Sequence, residues 1–250
     1  MKRVTYIFLV LFIIVSICFA KDTEKTADSC RQKGLTYYKS GKYELAVKEY
    51  NKAIKLKPDF SDAYVGRGIV NLMMQRFDEA ISDFNHSISI SPDNYMAYYN
   101  RGITYNKRDN NILAINDYTE SIKINNNFAE AYFNRGLTYK KLEKNDSAIF
   151  DFNKVIEIYP NHAHAHLQRG ILFAKLNKND SALNDYTTTI NLNPNIAQPY
   201  YQRGLVYNSL GKPDSSIKDL EKYISLAQND PYLKQSIPEI KKIISSLKNR

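Results

Sequence analysis

The sequence repeats itself every 34 residues, and this period constrains the fold more than any other feature. Position 8 of each repeat is glycine and position 20 is alanine, except for Ser216 in the last repeat. Six repeats follow one another without insertion, and they span residues 27–60, 61–94, 95–128, 129–162, 163–196 and 197–230. A fixed period of this length is typical of proteins built by stacking one supersecondary unit on the next.

Each repeat predicts two amphipathic helices. In residues 129–162 the apolar or small residues recur at steps of four and three, at Tyr132, Gly136 and Tyr139 and again at Ala148, Phe152 and Val155. Residues at these steps lie on one face of a helix. The polar stretch at Asp146 and Ser147 predicts the start of the second helix, and Pro160 predicts its end. Glycine and alanine predict close helix contacts, with the rings at positions 11 and 24 packed beside them.

The period, with its small and aromatic residues at fixed positions, resembles the tetratricopeptide-repeat family. Proline at position 32 supports the resemblance in four repeats, at Pro58, Pro92, Pro160 and Pro194. The resemblance covers residues 27–230 and implies an all-α fold, a right-handed α-solenoid of helix-turn-helix repeats. It also implies a concave groove that binds protein segments. Position 4 departs from the pattern, because Cys30 and His166 replace the tyrosine of the other repeats.

Two charged positions recur with opposite sign. Position 7 is basic and position 23 is acidic in every repeat, with Lys33 and Glu49 in the first. In the other five repeats the two positions hold Arg67 and Asp83, Arg101 and Asp117, Arg135 and Asp151, Arg169 and Asp185, and Arg203 and Asp219. This matched exchange predicts that the two positions meet as structural ion pairs, within a repeat or between neighbours.

The predicted binding site lies on the other face of each first helix. At 100° per residue, positions 2, 5, 6, 9, 12 and 13 point away from the glycine, towards the expected groove. Its predicted centre is Tyr99, Asn100, Phe133, Asn134, Leu167 and Gln168, and it continues through Tyr201, Gln202, Lys107, Lys141 and Lys175. Amides can bond a peptide backbone, apolar residues can hold side chains, and lysines can meet carboxylates. In the alternative interpretation, the aliphatic row at position 9 only packs against the neighbouring repeat.

The N-terminus predicts a targeting segment. Lys2 and Arg3 precede an uncharged, largely apolar stretch from Val4 to Ala20. This pattern predicts a secretory signal peptide over residues 1–20 and a polar tether over residues 21–26. Two alternatives stay open, a retained membrane anchor over residues 4–20 and a lipoprotein modified at Cys18. The predicted location is therefore outside the cytoplasm, either periplasmic, in the cell envelope or secreted.

The C-terminus leaves the repeat pattern. In residues 231–250 the spacing predicts one helix with an apolar face of Ile237, Ile240, Ile243, Ile244 and Leu247. Ser236 and Glu239 form the Ser-x-x-Glu pattern that predicts a capping box at its start. A terminal helix of this kind should cover the open end of the last repeat. The alternative is a basic amphipathic helix that lies on a membrane.

The sequence favours a binding function over catalysis. It contains no glycine-rich phosphate loop, nucleophile motif or metal-spaced cysteine pair, and His162, His164 and His166 do not share one helix face. We therefore predict no enzyme activity, cofactor or metal. The net charge of +9 falls to +7 without Lys2 and Arg3, and an exported protein rarely meets nucleic acid. The predicted function is an exported scaffold that binds protein or peptide segments. A membrane-anchored adaptor or lipoprotein subunit of an envelope assembly or secretion complex is the alternative.

Overall fold

A computed structural model describes residues 23–249 of the chain. The predicted signal peptide at residues 1–20, with Cys18, and the first two residues of the predicted tether lie outside the described residues. The described chain forms 13 α-helices and one 3-10 helix. None of these helices is both long enough and apolar enough to cross a lipid bilayer.

The helices follow the repeat, two to each 34 residues. Residues 23–39 form α1. The next helices are α2 (Tyr43–Leu56), α3 (Ser61–Met73), α4 (Phe77–Ile90), α5 (Tyr95–Lys107), α6 (Asn111–Ile124), α7 (Ala129–Lys141) and α8 (Asn145–Ile158). They are followed by α9 (Ala163–Lys175), α10 (Asn179–Leu192), α11 (Gln198–Ser209), α12 (Pro213–Ala227), the 3-10 helix Leu233–Ser236 and α13 (Ile237–Lys248). Four of the first helices begin at the first residue of a predicted repeat.

The chain divides after Phe128 into two compact halves of three repeats each, which we describe separately. In the N-terminal half, each helix from α2 to α6 packs against the one before or after it in the chain. In the C-terminal half, α7 to α13 pack in the same consecutive order. Each half is thus a stack of helical hairpins, because one hairpin cannot bury its apolar face alone.

The two helices of a repeat approach each other at the glycine of position 8. A Cβ atom added at Gly102 would lie 2.8 Å from the ring of Tyr118, and one at Gly136 would lie 2.9 Å from the ring of Phe152. These distances are shorter than a real carbon contact allows, so only glycine leaves room for the ring. This confirms the close contact that the sequence predicts at position 8.

The core of each repeat lies beside this contact. The alanines of position 20 are fully buried, and so are the rings of Phe84, Phe152 and Tyr186 at position 24. Burying a side chain of this size contributes on the order of 1.5–3 kcal/mol. The rings at position 24, replaced by Leu220 in the sixth repeat, are therefore a recurring source of stability within the hairpins.

The turn between the two helices has a conformation that the sequence analysis did not predict. Position 15 has a positive φ in all six repeats of the described chain, at Gly41, Gln75, Asp109, Glu143, Asn177 and Gly211. Only two of these residues are glycine, which adopts this conformation without a steric cost. Asp109 and Asn177 are of types that also adopt it readily, so the hairpin has to impose this geometry mainly at Gln75 and Glu143.

The helix starts differ from the prediction in two places. Asp146 and Ser147 lie inside the first turn of α8, whose N-cap residue is Lys144. Ser236 precedes α13, but its side chain does not cap the helix. Its hydroxyl instead donates to the carbonyl of Leu233 and lies 2.9 Å from the hydroxyl of Tyr223. The predicted capping box is therefore wrong, because the hydroxyl is used to attach the preceding 3-10 helix to α12.

The last helix covers the end of the C-terminal half. Ile240, Ile244 and Leu247 of α13 are buried in one cluster with Leu220 and Tyr223 of α12. The apolar face that could have entered a membrane is thus occupied by the last repeat. Lys241, Lys242 and Lys248 stay outside this contact and are exposed.

Candidate functional site

The arginine of position 7 and the aspartate of position 23 meet within each of repeats 2 to 6. In the fourth repeat Arg135 donates to Asp151 through Nε and Nη2, at 2.9 and 2.7 Å. The same two-bond arrangement joins Arg101 to Asp117 and Arg203 to Asp219. In the first repeat Glu49 pairs with Lys52 instead, at 2.5 Å. The aspartates of these pairs are buried, whereas the arginines are partly exposed.

The same arginines also reach the preceding repeat, a link that the sequence analysis missed. Arg101 Nη1 donates to Asn85 Oδ1 at 2.6 Å, and Arg169 Nη1 donates to Asn153 Oδ1 at 2.7 Å. Asn85 and Asn153 both stand at position 25, which holds Asn or Thr in the first five repeats. The recurrence of a polar residue at position 25 could have predicted this link from the sequence. The guanidinium groups of Arg101 and Arg169 therefore each bond two repeats, which is a role in stability rather than in recognition.

His166 takes over the structural role of a tyrosine. Tyr200 donates its hydroxyl proton to the carbonyl of Pro194 at 3.1 Å, and His166 Nε2 lies 2.9 Å from the carbonyl of Pro160. His166 Nδ1 also lies 3.0 Å from Asp185. Among residues 23–249, no group of three or more His, Cys, Asp or Glu side chains could hold a metal ion.

Burial and hydrogen bonding act in opposite directions on the paired carboxyls. Burial raises the pKa of Asp117 and of Asp151 above the ordinary value, although the arginine of each pair opposes the change. Burial also acts on Asp185, but the hydrogen bonds from Arg169 and His166 outweigh it and lower its pKa. The additional donor His166 distinguishes the fifth repeat from the others.

The candidate binding face comprises the residues at positions 5, 6, 9, 12 and 13 of each first helix. In the N-terminal half this face contains a pocket of about 220 Å³. The pocket is lined by Arg31, Leu35 and Tyr38 of α1, by Val65, Gly66 and Ile69 of α3, and by Tyr50, Asp62, Asn94 and Met96. Six of these residues stand at positions 5, 6, 9 or 12. All lining residues of the pocket precede, in the sequence, the predicted centre at Tyr99 to Gln168.

Gly66 opens this pocket. Position 6 carries an amide in the other five repeats, but an added Cβ at Gly66 would lie 2.5 Å from the ring of Tyr50. The Tyr50 ring thus occupies the space of a side chain and forms part of the pocket wall. Arg31 adds a cation: its Nε lies 3.6 Å from Asp28 and has no hydrogen-bond partner among the described residues. The pocket is therefore mainly apolar, with charged groups at its edge.

A second cavity of about 380 Å³ in the N-terminal half is a weaker candidate. It is lined by polar residues of α2, α3 and α4, among them Asn51, Arg67, Asn71 and Asp83. Arg67 bonds both Asn51 and Asp83, and Asn71 donates to Asp83 at 3.0 Å. These polar groups already satisfy one another, so they offer little to a ligand.

The predicted aromatic residues at position 5 are only half-exposed. Tyr99 contacts the rings of Tyr118 and Phe128, with centroids 6.0 and 4.8 Å apart. Phe133 contacts Phe152 and His162 in the same way, at 5.8 and 5.0 Å. Tyr201 packs against a ring of α12. These rings present one edge to the candidate binding face and use the other in packing.

Two residues of the predicted centre do not lie on an open surface. Leu167 is 1% exposed and belongs to the core cluster with Tyr186 and Val206. Asn100 is buried, and its amide donates to the carbonyl of Met96 at 2.7 Å. Leu167 is covered by Val206 of the next hairpin, and Asn100 bonds its own helix, and the 100° projection takes neither contact into account. We therefore remove Leu167 and Asn100 from the candidate binding face.

The remaining predicted residues stay on this face. Asn134, Gln168 and Gln202 are half-buried, and Lys107, Lys141 and Lys175 are exposed. Lys175 donates to Glu143 at 3.0 Å. In the C-terminal half the structure adds Lys140, whose Nζ donates to Gln168 Oε1 at 2.6 Å. Position 12 was assigned to this face from the sequence, but Lys140 itself was not singled out.

Comparisons with known proteins agree with this architecture. Models described as TPR repeat or tetratricopeptide repeat match residues 34–75, 61–94, 110–143, 129–162 and 197–230. The structure of pilF from Pseudomonas aeruginosa has a TM-score of 0.75 and 17% identity, covering 87% of this chain and 99% of that chain. A tetratricopeptide repeat protein from Parabacteroides merdae has a TM-score of 0.59 and 18% identity, with the same coverage.

YrrB, a TPR protein with an unusual peptide-binding site, has a TM-score of 0.66 and 19% identity, covering 76% of this chain and 97% of that chain. At these identities the similarity shows the fold alone. The comparison with curated proteins gave no match. The repeat models and the solved structures agree on one architecture, and the chain therefore belongs to the tetratricopeptide-repeat family, whose members are generally non-catalytic modules for protein interaction.

Proposed function

We propose that this protein is a non-catalytic scaffold that binds an extended segment of a partner protein on its candidate binding face. The observation that carries this proposal is the pocket of about 220 Å³ in the N-terminal half. A mainly apolar pocket with a few polar groups at its edge is the usual form of a binding site. Here the apolar side chains of Leu35, Val65 and Ile69 would hold an apolar side chain of the partner.

The neighbouring groups suit a peptide in particular. Arg31 and Asp62 are among the residues that line the pocket, so both donors and acceptors are present. An extended backbone offers both kinds of group at every residue. In the C-terminal half, the amides of Asn134 and Gln202 stand at the same repeat position and can serve the backbone in the same way. YrrB supports the proposal as a protein of this fold with a peptide-binding site.

A pair of leucine substitutions tests this function. Randomised peptides would be selected on the purified protein, and the affinity of the selected peptides would be measured by fluorescence anisotropy. Leu35→Gln introduces a polar amide into the pocket, and we expect it to weaken binding about tenfold or more. Leu45→Gln makes the same change on α2, where Leu45 is 43% exposed and outside the pocket, and should leave binding unchanged. Equal affinity of the two variants would refute the pocket as the binding site.

We also propose that the protein works outside the cytoplasm, anchored or free. This proposal is supported by the sequence of Lys2, Arg3 and the uncharged stretch from Val4 to Ala20. N-terminal sequencing and intact mass of the native protein distinguish the three forms. A chain that begins at Lys21 is cleaved, one that begins at a lipid-modified Cys18 is a lipoprotein, and one that keeps residues 4–20 is anchored. The last two forms would make it an adaptor on a membrane.

A further inference from the structure

Lys140 is a partly buried ammonium that no carboxylate neutralises among the described residues. It stands at position 12 on α7, and its one hydrogen-bond partner is the side-chain oxygen of Gln168 on α9, at 2.6 Å. Burial lowers the pKa of Lys140, and the nearby charge of Lys175 lowers it further. An ammonium in this environment is less stable than one in water or in an ion pair.

This arrangement does not belong to the repeating framework. The Arg–Asp pairs and the Gly–ring contacts recur from repeat to repeat, as structural features of a repeat should. Position 12 instead holds Tyr38, Leu72, Asn106, Ala174 and Asn208 in the other repeats. Among the repeats, position 12 carries an ammonium only at Lys140, which stands on the candidate binding face. A partly buried ammonium that has an amide and no carboxylate as its partner, at one point of a binding surface, is better explained by a ligand than by folding.

The free hydrogen-bonding groups at this point are donors. The ammonium of Lys140 has three N–H groups, of which Gln168 accepts one. Because the oxygen of Gln168 already accepts from Lys140, its amide nitrogen keeps two N–H groups for another partner. Lys175 adds positive charge nearby, although its own ammonium is paired with Glu143. The spot thus offers hydrogen-bond donors and one uncompensated positive charge, and so is complementary to an anion with two oxygens.

We propose that Lys140 and Gln168 form a subsite for the side-chain carboxylate of an aspartate or glutamate in the bound segment. This inference rests on the proposed function, since it names the chemistry of the segment that the face binds. One carboxylate oxygen accepts from Lys140 Nζ and the other from the amide of Gln168. The single uncompensated charge matches the single negative charge of a carboxylate. Leu137 and Ile171, half-buried at position 9 of the same two helices, favour apolar residues beside the acidic one.

The test uses two kinds of probe. The first is a set of nine-residue peptide libraries with blocked ends, in which the central residue is glutamate, glutamine or lysine and the rest is randomised. Blocked ends remove the terminal carboxylate as a competing source of charge. The second is glutamate with both its amino and its α-carboxyl group blocked, with the equally blocked glutamine as its control. Its binding is followed by NMR at the side-chain amide of Gln168.

The variants distinguish the effect of the charge on Lys140 from the effect of a lysine elsewhere on the surface. Lys140→Met keeps the length of the side chain and removes the ammonium, while Lys140→Arg keeps the charge. Lys178→Met removes an exposed lysine from the turn before α10 and is the matched control. We expect wild type, Lys140→Arg and Lys178→Met to prefer the glutamate library about tenfold or more, and Lys140→Met to lose that preference.

The outcomes of the two probes are distinct. Blocked glutamate should shift the Gln168 amide in wild type and not in Lys140→Met, whereas blocked glutamine should shift it in neither. No shift in wild type, or an equal shift in Lys140→Met, overturns the carboxylate subsite. So does a glutamate preference that persists in Lys140→Met. If no library binds the wild type, the proposed peptide-binding function fails, and the blocked glutamate still decides whether the subsite exists.

Discussion

Replacing Arg135 by alanine should reveal what the buried ion pairs contribute. Asp151 is fully buried and accepts two hydrogen bonds from Arg135, at 2.9 and 2.7 Å. Removing one partner of a buried pair typically costs about 3–5 kcal/mol, because the other charge stays buried. We therefore expect the α7–α8 hairpin to lose about that much stability at pH 7.

Protonation of the carboxyl limits this cost and makes it depend on pH. Protonating a carboxyl with an ordinary pKa of 3.8 costs roughly 4.4 kcal/mol at pH 7 and roughly 1.6 kcal/mol at pH 5, because each pH unit is worth 1.36 kcal/mol. Without Arg135 the pKa of Asp151 rises in the folded state, so the folded chain binds protons more tightly than the unfolded chain. The loss should therefore shrink from about 4 kcal/mol at pH 7 to about 2 kcal/mol at pH 5.

Native-state hydrogen exchange of the α7 and α8 amides is the appropriate assay. Repeat proteins can unfold in parts, so a single unfolding midpoint does not report one hairpin. Lys154→Ala is the control, since its pair with Glu157 on α8 is exposed and contributes under about 0.5 kcal/mol. The double variant Arg135→Met, Asp151→Leu should recover most of the loss. A loss below about 1 kcal/mol for Arg135→Ala, or one that is the same at both pH values, would refute the reasoning.

Three further outcomes are expected. Gly102→Ala places a methyl group 2.8 Å from the Tyr118 ring and should destabilise the α5–α6 hairpin by about 1–3 kcal/mol, measured by hydrogen exchange. Ile244→Ala should cost about 2–5 kcal/mol and expose α13 to proteolysis before the other helices; unchanged resistance would contradict its role as a cap. The carboxyl of Asp185 should titrate below 3.8 by NMR, so that its stabilisation is complete above about pH 4 and is lost as the pH falls through the lowered value; a midpoint above 3.8 would show that burial dominates.

A binding face that differs between repeats is consistent with the way the repeats are built. The recurring contacts at positions 7, 8, 20, 23 and 24 hold each hairpin together, so a change at position 6 or 12 of a first helix leaves those contacts in place. The pocket at Gly66 and the cation at Lys140 are both single departures at such positions. Recognition in this chain is therefore expected where one repeat differs from the others.

The sequence by itself determined the helical hairpins, because a fixed period with glycine, alanine and rings at set positions fits only one local arrangement. It also indicated that the charges of positions 7 and 23 meet. The first repeat has Lys33 and Glu49 where all the others have Arg and Asp, so both positions change together. That inference held for the five Arg–Asp pairs in the structure, whereas Glu49 pairs with Lys52. Local spacing and matched exchange are properties of the chain, so they can be found without coordinates.

Only the tertiary structure decided which residues of the first helices remain accessible. Leu167 and Tyr201 share position 5, yet Leu167 is buried and Tyr201 is half-exposed. The pocket exists because the ring of Tyr50 takes the space beside Gly66, which lies in the next repeat. Accessibility depends on the side chains that neighbouring hairpins bring to each point, and a helical projection of one repeat does not contain them.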